Sequence, residues 1–246
     1  LEVTVCRDGV RYRQRYEHGY VKTPVQILAP HSDHIIGVVG ERGADAAVRM
    51  HADRKLGTGT SVRFLPSSQF MEVTRFDFAA VAHRLEIAAY LIPGLELSVA
   101  DLRGDEPRRR DYCFKGGLEA YVRHLNEGRR VIHDRPIRIT GATDGGPRLE
   151  VVLQYHDEDD EEILSFVNTI PTADGGTHVS GFRAALTKAI NVFAQEKKQV
   201  SGGEAVIGRD ATGGLTAALS LVMADPEVTS QTNSQLGSRV SHGRVL

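Results

Sequence analysis

Two stretches of alternating polarity, Leu1–Val5 and Val10–Tyr16, flank the dipeptide Asp8-Gly9. That arrangement is the strongest short-range hairpin signal a sequence carries, because a two-residue turn needs positive φ at its centre and Asp and Gly tolerate it. The chain therefore begins inside an antiparallel sheet. A natural first residue would be Met, so a start at Leu1 within a strand reads as a fragment.

From Val25 to Lys55 the alternation dissolves into Gly, His, Asp and Ala, the composition of an inserted loop (about 30–50) that is long for a compact domain. Thr58-Gly59-Thr60 then leads into a predicted strand, Ser61–Leu65, closed by Pro66. Asp77 is placed to cap a helix over Phe78–Ile92, with Phe78, Val81, Ala82, Leu85, Ala88, Ala89 and Ile92 on one face. Pro93-Gly94 stops it, and Leu95–Val99 reads as a strand. The charged segment Asp101–Asp111, with Gly104 and Pro107, is the expected boundary between a domain over 1–103 and one over 110–241.

In the second part Leu118, Tyr121, Val122 and Leu125 mark a short helix ended by Gly128. Ile137–Thr140, Leu149–Tyr155 and Ile163–Ile170 read as strands, the last two a candidate hairpin. Val179, Phe182, Leu186, Ala189, Ile190 and Phe193 form the clearest helical stripe. A polar connector over Glu196–Glu204 and a buried strand over Leu215–Met223 follow. This order predicts an α+β fold with two packed layers in each half.

Composition narrows the function classes. A formal charge of -2 gives no general pull toward nucleic acid, so any DNA contact must come from a local basic face. Cys6 and Cys113 stand far apart without CxxC spacing, which fits a reducing compartment. No apolar run approaches the ~18 residues that span a bilayer, and no signal peptide precedes the first strand.

Three boxes go beyond pattern. Ser165-Phe-Val-Asn-Thr-Ile-Pro-Thr-Ala-Asp-Gly-Gly-Thr-His-Val-Ser-Gly-Phe-Arg resembles the transducer of type IIA DNA topoisomerase B subunits, those of bacterial gyrase and topoisomerase IV. Lys55-Leu-Gly-Thr-Gly-Thr resembles that family's Lys-Thr-Gly-Thr box. Gly214-Leu-Thr-Ala to Ser230-Gln-Thr-Asn-Ser-Gln-Leu-Gly resembles the strand and Gln-Thr-Lys loop that close its transducer. The boxes occur in the family's order, joined by shorter matches at Tyr16-Glu-His-Gly and Phe114-Lys-Gly-Gly. The resemblance implies the C-terminal half of a Bergerat-type (GHKL) ATPase two-layer sandwich followed by an α/β transducer domain of strands and helices.

It also implies roles. Thr60, after Gly59, matches the threonine that helps hold adenine; a hydroxyl both donates and accepts, and glycine lets the backbone come close. Read alone, Thr-Gly-Thr is a tight turn. Arg7 matches an arginine at the ATP-pocket rim, where aminocoumarin inhibitors bind; its bland alternative is an exposed arginine beside a hairpin turn. Gln231 opens the loop that reaches the γ-phosphate, but the family's lysine there is Asn233, and the next is Gln235. At the ATP site Asn233 can donate a hydrogen bond but carries no charge, so either another cation substitutes or turnover is impaired; read alone, Gln231 is a polar loop residue. Gly175-Gly176-Thr177-His178 is expected to be architectural, with Thr177 as the cap. Arg183 and Lys188, beside Thr187, stand where the transducer contacts DNA, or belong to a solvated helix face.

No metal site is expected. The acidic run Asp157–Glu162 reads as a hairpin tip splayed into water, and His31, Asp33, His34 and His51 lack zinc spacing. Other departures are Glu86-Ile-Ala after Arg84-Leu85 and Thr212-Gly213 in the box Asp210–Leu215. No catalytic residue is assigned, because the family's general-base glutamate, magnesium-binding asparagine, adenine-reading aspartate and Gly-rich lid precede the first box. The resemblance implies ATP and Mg2+ as cofactors of the full-length protein. It implies DNA, an A-type subunit and a second copy of the ATPase region as partners, and a cytoplasmic, nucleoid-associated setting. The 246-residue chain alone is expected to be inactive. Two rivals stand beside this reading: a non-catalytic DNA-clamp paralogue, and a MutL-type repair clamp, disfavoured by Gly-Gly-Thr-His and Gly-Phe-Arg.

Overall fold

The structure, a computed structural model, describes residues 1–28, 58–142, 146–198, 205–227 and 235–237. His31, Asp33, His34, His51, Gln231 and Asn233 lie outside these, as does most of the inserted loop. Contacts divide the chain into two units, Leu1–Leu85 with Leu97–Tyr112 and Glu86–Glu96 with Cys113–Leu246.

The first unit is built on an antiparallel sheet of β1 (Glu2–Arg7), β2 (Val10–Glu17), β3 (Tyr20–Val21), β4 (Gln26–Leu28) and β5 (Gly59–Arg63). Its order is β3-β2-β1-β5, and β4 also pairs with β2. Asp8 (φ 52) and Gly9 (φ 75) make the expected turn. His18 (φ 52) and Gly19 (φ 85) repeat that chemistry between β2 and β3, a second hairpin beyond the one expected from the sequence.

Helix α1 (Phe78–Leu91) starts where Asp77 caps it, Asp77 Oδ1 accepting from the Ala80 amide at 2.7 Å. Residues 78–85 belong to the first unit and the remainder to the second. Ala82 and Ala89 are buried as expected, but so are Ile87 and Tyr90 from outside the predicted stripe, while Ile92 is exposed. The helix is apolar on more than one side, so its periodicity does not choose a face. Strands β6 (Leu97–Asp101) and β7 (Arg108–Tyr112) then form a hairpin, so the segment read as a boundary carries a turn and a strand. Asp101 fastens that turn by accepting from Arg103 Nε at 2.8 Å and Arg108 Nη2 at 2.6 Å, which holds its carboxyl well below the usual range.

The second unit contains α2 (Gly117–Leu125), β8 (Ile137–Ala142), β9 (Arg148–Tyr155), β10 (Glu162–Val167), β11 (Ile170–Pro171), α3 (Thr177–Glu196), α4 (Gly208–Thr212) and β12 (Leu215–Val222). Its sheet runs β11-β10-β12-β9-β8. The hairpin expected between β9 and β10 does not form: β12 lies between them, parallel to β10 and antiparallel to β9. Leu215, Ala217, Ala218 and Leu219 are all 0% exposed, and a strand apolar on both faces belongs at the centre of a sheet. The parallel step from β10 to β12 needs a long crossover, which α3 supplies. The predicted strand Ile163–Ile170 is also cut, because Asn168 (φ 48) and Thr169 (φ 69) turn the chain from β10 into β11.

Both faces of this sheet are covered, a third layer beyond the two expected within the α+β plan. On one face Ile87, Tyr90, Leu118, Tyr121 and Val122 pack on Val152, Phe166 and Ala218. On the other, Phe182 and Leu186 of α3 pack on Val151, Leu153, Leu215, Ala217 and Leu219. The α3 stripe holds only over its first half; Ala189 and Phe193 are exposed.

Candidate functional site

Residues opposite one another in paired strands share a sheet face, and successive residues alternate. Val3 lies opposite Gln14 and Val62, and Val5 opposite Tyr12 and Thr60. Arg7, two positions beyond Val5 and opposite Val10, shares that face at the end of β1. The first sheet therefore gathers Val3, Val5, Tyr12, Val62, the Thr60 hydroxyl and the Arg7 guanidinium on one side. Gly59 lies at the same end, opposite Cys6.

This face is open: Tyr12 is 36% and Val62 48% exposed. Among the described residues Arg7 meets only Asp8, at 3.6 Å with both side chains highly exposed, a geometry that adds little stability and leaves the guanidinium able to turn. A Cβ at Gly59 would meet nothing within 4 Å, so the described fold gives no packing reason for glycine there. An apolar floor, one hydroxyl and a rim guanidinium suit a flat heteroaromatic ring better than a metal, since among the described residues Asp8 is the one carboxylate near this face. The floor residues Val3, Val5 and Tyr12 were not singled out in the sequence, although the alternation of β1 and β2 contains them.

In the second unit the described residues next to the Gln231–Asn233 segment form a clasp. Leu236, 1% exposed, sits against Val167 and Leu221. It bridges to Gly176: the Leu236 amide donates to Gly175 O at 3.1 Å and the Thr177 amide to Leu236 O at 3.2 Å. The Gly237 amide donates to Glu227 O at 2.9 Å, joining the two sides of the 228–234 segment. Gly176 has φ 141, and a Cβ there would press on the Leu236 carbonyl oxygen and lie 2.7 Å from its amide nitrogen. The N-cap of α3 is Gly176 without a side-chain cap bond, not Thr177; the close pass of Leu236 takes the cap position. The turn residue Asn168 does related work, pairing its side-chain amide with the Met223 backbone at 2.9 and 3.0 Å.

His178, 0% exposed, lies beneath the clasp. Its Nε2 is 3.2 Å from Thr172 Oγ1, which meets Ser165 Oγ at 2.6 Å. Its Nδ1 has no hydrogen-bond partner among the described residues, and burial pulls its pKa down to about 4.

Arg183 and Lys188 are exposed on α3. Arg183 donates to Glu161, while Lys188 borders a shallow groove with Ala185, Ala189, Val192 and Phe193. The acidic run is not splayed as expected. Arg129, missed in the sequence, gathers Asp160 at 3.1 Å, Glu162 at 3.2 Å and Glu158 at 3.7 Å. It also reaches Thr216 Oγ1 and His156 Nε2, both at 3.2 Å. Oxygen and nitrogen donors of His156, Glu158 and Asp160 do come within 4.8 Å of one another, but the guanidinium already supplies their positive charge.

An antiparallel sheet with an open apolar face, and a mixed sheet layered between helices, define an α+β protein of two units. Solved structures share this plan. The gyrase B protein of Myxococcus xanthus matches 99% of the chain and 63% of its own at a TM-score of 0.76 and 26% identity. The 43K ATPase domain of Thermus thermophilus gyrase B, solved with an aminocoumarin, matches in fold at 0.69 and 24% identity. The family profile described as DNA gyrase B matches residues 117–245. The DNA gyrase B protein of Thermotoga maritima is 35% identical over 244 residues, covering 97% of this chain and 34% of that protein. That of Archaeoglobus fulgidus is 37% identical over 236 residues, covering 96% and 33%. The chain belongs to the DNA gyrase B family, within the type IIA DNA topoisomerases. It spans about a third of the length of these curated relatives. Among the described residues no helix is long and apolar enough to cross a membrane.

Proposed function

We propose that this chain is part of an ATP-dependent type II DNA topoisomerase subunit that couples ATP binding and hydrolysis to DNA strand passage. The observation that carries the reading is the strand register that brings Thr60 and Arg7 onto one open apolar face. Residues 1–103 supply the C-terminal part of the ATPase domain and 110–241 the transducer. Thr60 reads the adenine edge beside Gly59, Arg7 closes the rim, and Gln231 and Asn233 stand at the positions of the γ-phosphate loop. ATP and Mg2+ are the cofactors of the whole protein. DNA, an A-type subunit and a second ATPase region are its partners, in the cytoplasm at the nucleoid. The family's general base and magnesium ligand lie outside the matched boxes, so the 246-residue chain by itself does not turn over ATP.

Asn233 and Gln235, in place of lysines, favour a second reading, a non-catalytic DNA-clamp or interaction paralogue that has lost hydrolysis. ATP-dependent supercoiling or relaxation by the whole protein, with its A-type partner, separates the two. In that protein Thr60→Val is expected to weaken ATP binding roughly tenfold or more, the loss of about one buried hydrogen bond. Unchanged ATP affinity in Thr60→Val would remove the adenine assignment.

A further inference from the structure

The opposite face of the first sheet is not apolar. By the same register, Arg11 lies opposite Cys6 and Leu28, Arg13 opposite Thr4 and Gln26, and Arg15 opposite Glu2, which also faces Arg63 across β5. Four arginines thus share one sheet face. Its acidic members among the paired residues are Glu2 and Glu17, and Lys22 already neutralises Glu17, whose carboxyl it holds below the usual range. Glu2 accepts from Arg15 Nε at 2.6 Å. Among the described residues Arg13 reaches only a neutral group, Gln26 Oε1, at 3.2 Å, and its Nε is buried without a hydrogen-bond partner.

A merely solvated sheet face carries both signs interspersed, because like charges on neighbouring positions repel. Here Arg11, Arg13 and Arg15 repeat at every second residue of β2, about 7 Å apart along the strand, and Arg63 extends the patch two strands away. The residue type is as informative as the sign, since guanidinium forks match phosphate oxygens and are weakly hydrated.

We infer that this arginine face is a docking surface for the sugar-phosphate backbone of duplex DNA, in addition to any contact made by α3. The inference rests on the proposal that the protein handles DNA. The chain's small net negative charge gives no general pull toward DNA, so binding at this face is local, independent of base sequence and strongly salt-dependent.

The test is fluorescence anisotropy of a labelled duplex of about 30 base pairs titrated with the 246-residue chain across a series of KCl concentrations. Arg15 and Arg63 are the exposed pair to change. Arg15→Gln with Arg63→Gln is expected to reduce the slope of log K against log salt by about 1.8, near 0.9 per lost phosphate contact. That corresponds to roughly sixty-fold weaker binding at about 0.1 M salt. Arg15→Lys with Arg63→Lys keeps the charges and is expected to retain most of the slope, separating lost contact from lost fold. A glutamine variant with wild-type slope and affinity overturns the inference, as does a wild-type chain that does not bind the duplex. Polyglutamate of equal charge binding as tightly as the duplex assigns the face to an acidic protein and also overturns it. Loss confined to Arg183→Gln with Lys188→Gln moves DNA to α3 and does the same. None of these outcomes touches the topoisomerase reading, which stands or falls on supercoiling by the whole protein.

Discussion

The two units bury their residues very differently. In the first, Ala82 and Asp101 are the only buried residues among those described; in the second, three apolar clusters pack around β12, which is exposed only at its last residue, Val222. The first sheet alternates in polarity, while the second is centred on a strand apolar on both faces and, among the described residues, is covered on both sides. A sheet whose valines and tyrosines stay half-exposed leaves burial energy unused, and that is tolerable where other groups or a ligand complete the face. Among the described residues the second unit closes its own core, whereas the first sheet leaves an apolar face open.

Three measurements test that contrast. The largest effect is expected from paired truncations followed by urea denaturation. Leu219→Ala, at a 0% exposed site in the second unit, should cost ~3–5 kcal/mol through lost transfer energy and a cavity. Val62→Ala on the half-open first sheet should cost under ~1 kcal/mol. Equal losses would mean that the open face is as well packed as the core.

An intermediate effect comes from His178. Its folded pKa of about 4 lies below the ordinary histidine value of 6.5, so the unfolded chain takes up the proton first as pH falls. Stability from this group is therefore level above about pH 6.5 and declines toward pH 4, by at most ~1.4 kcal/mol per pH unit. His178→Gln should flatten the pH dependence of the second unit's unfolding midpoint between about pH 7 and pH 5. An unchanged slope would assign the dependence to other groups.

The smallest effect tests the helix shared by both units. Asp77→Ala removes the 2.7 Å bond to the Ala80 amide and should cost ~1 kcal/mol. Hydrogen exchange should show faster exchange at Ala80 and Val81 with little change at Ala89 and Tyr90. Equal acceleration along the helix would show that α1 opens as one piece.

Most strands and helices were legible because turn chemistry and periodicity are local. Asp8-Gly9 bends wherever it sits, and Asp77 caps the helix that follows it. The candidate face was half-legible: Thr60 and Arg7 were named from resemblance, while Val3, Val5 and Tyr12 became its floor only once register joined three strands. Arg129 and Leu236 had no signal of their own. A lone arginine and a leucine after a polar loop look ordinary until distant acids or a glycine backbone close around them.

Local residue chemistry was enough for the Asp8-Gly9 hairpin, the Asp77 cap, the alternation that makes the first sheet two-faced, and the boxes that mark the gyrase B family. Tertiary structure alone decided that β12 divides β9 from β10, that the acidic run closes on Arg129, and that Leu236 seats on Gly176. The physical reason is range. Propensity and alternation act between neighbours along the chain, whereas strand order, ion-pair partners and close backbone approaches depend on which distant segments share one buried volume.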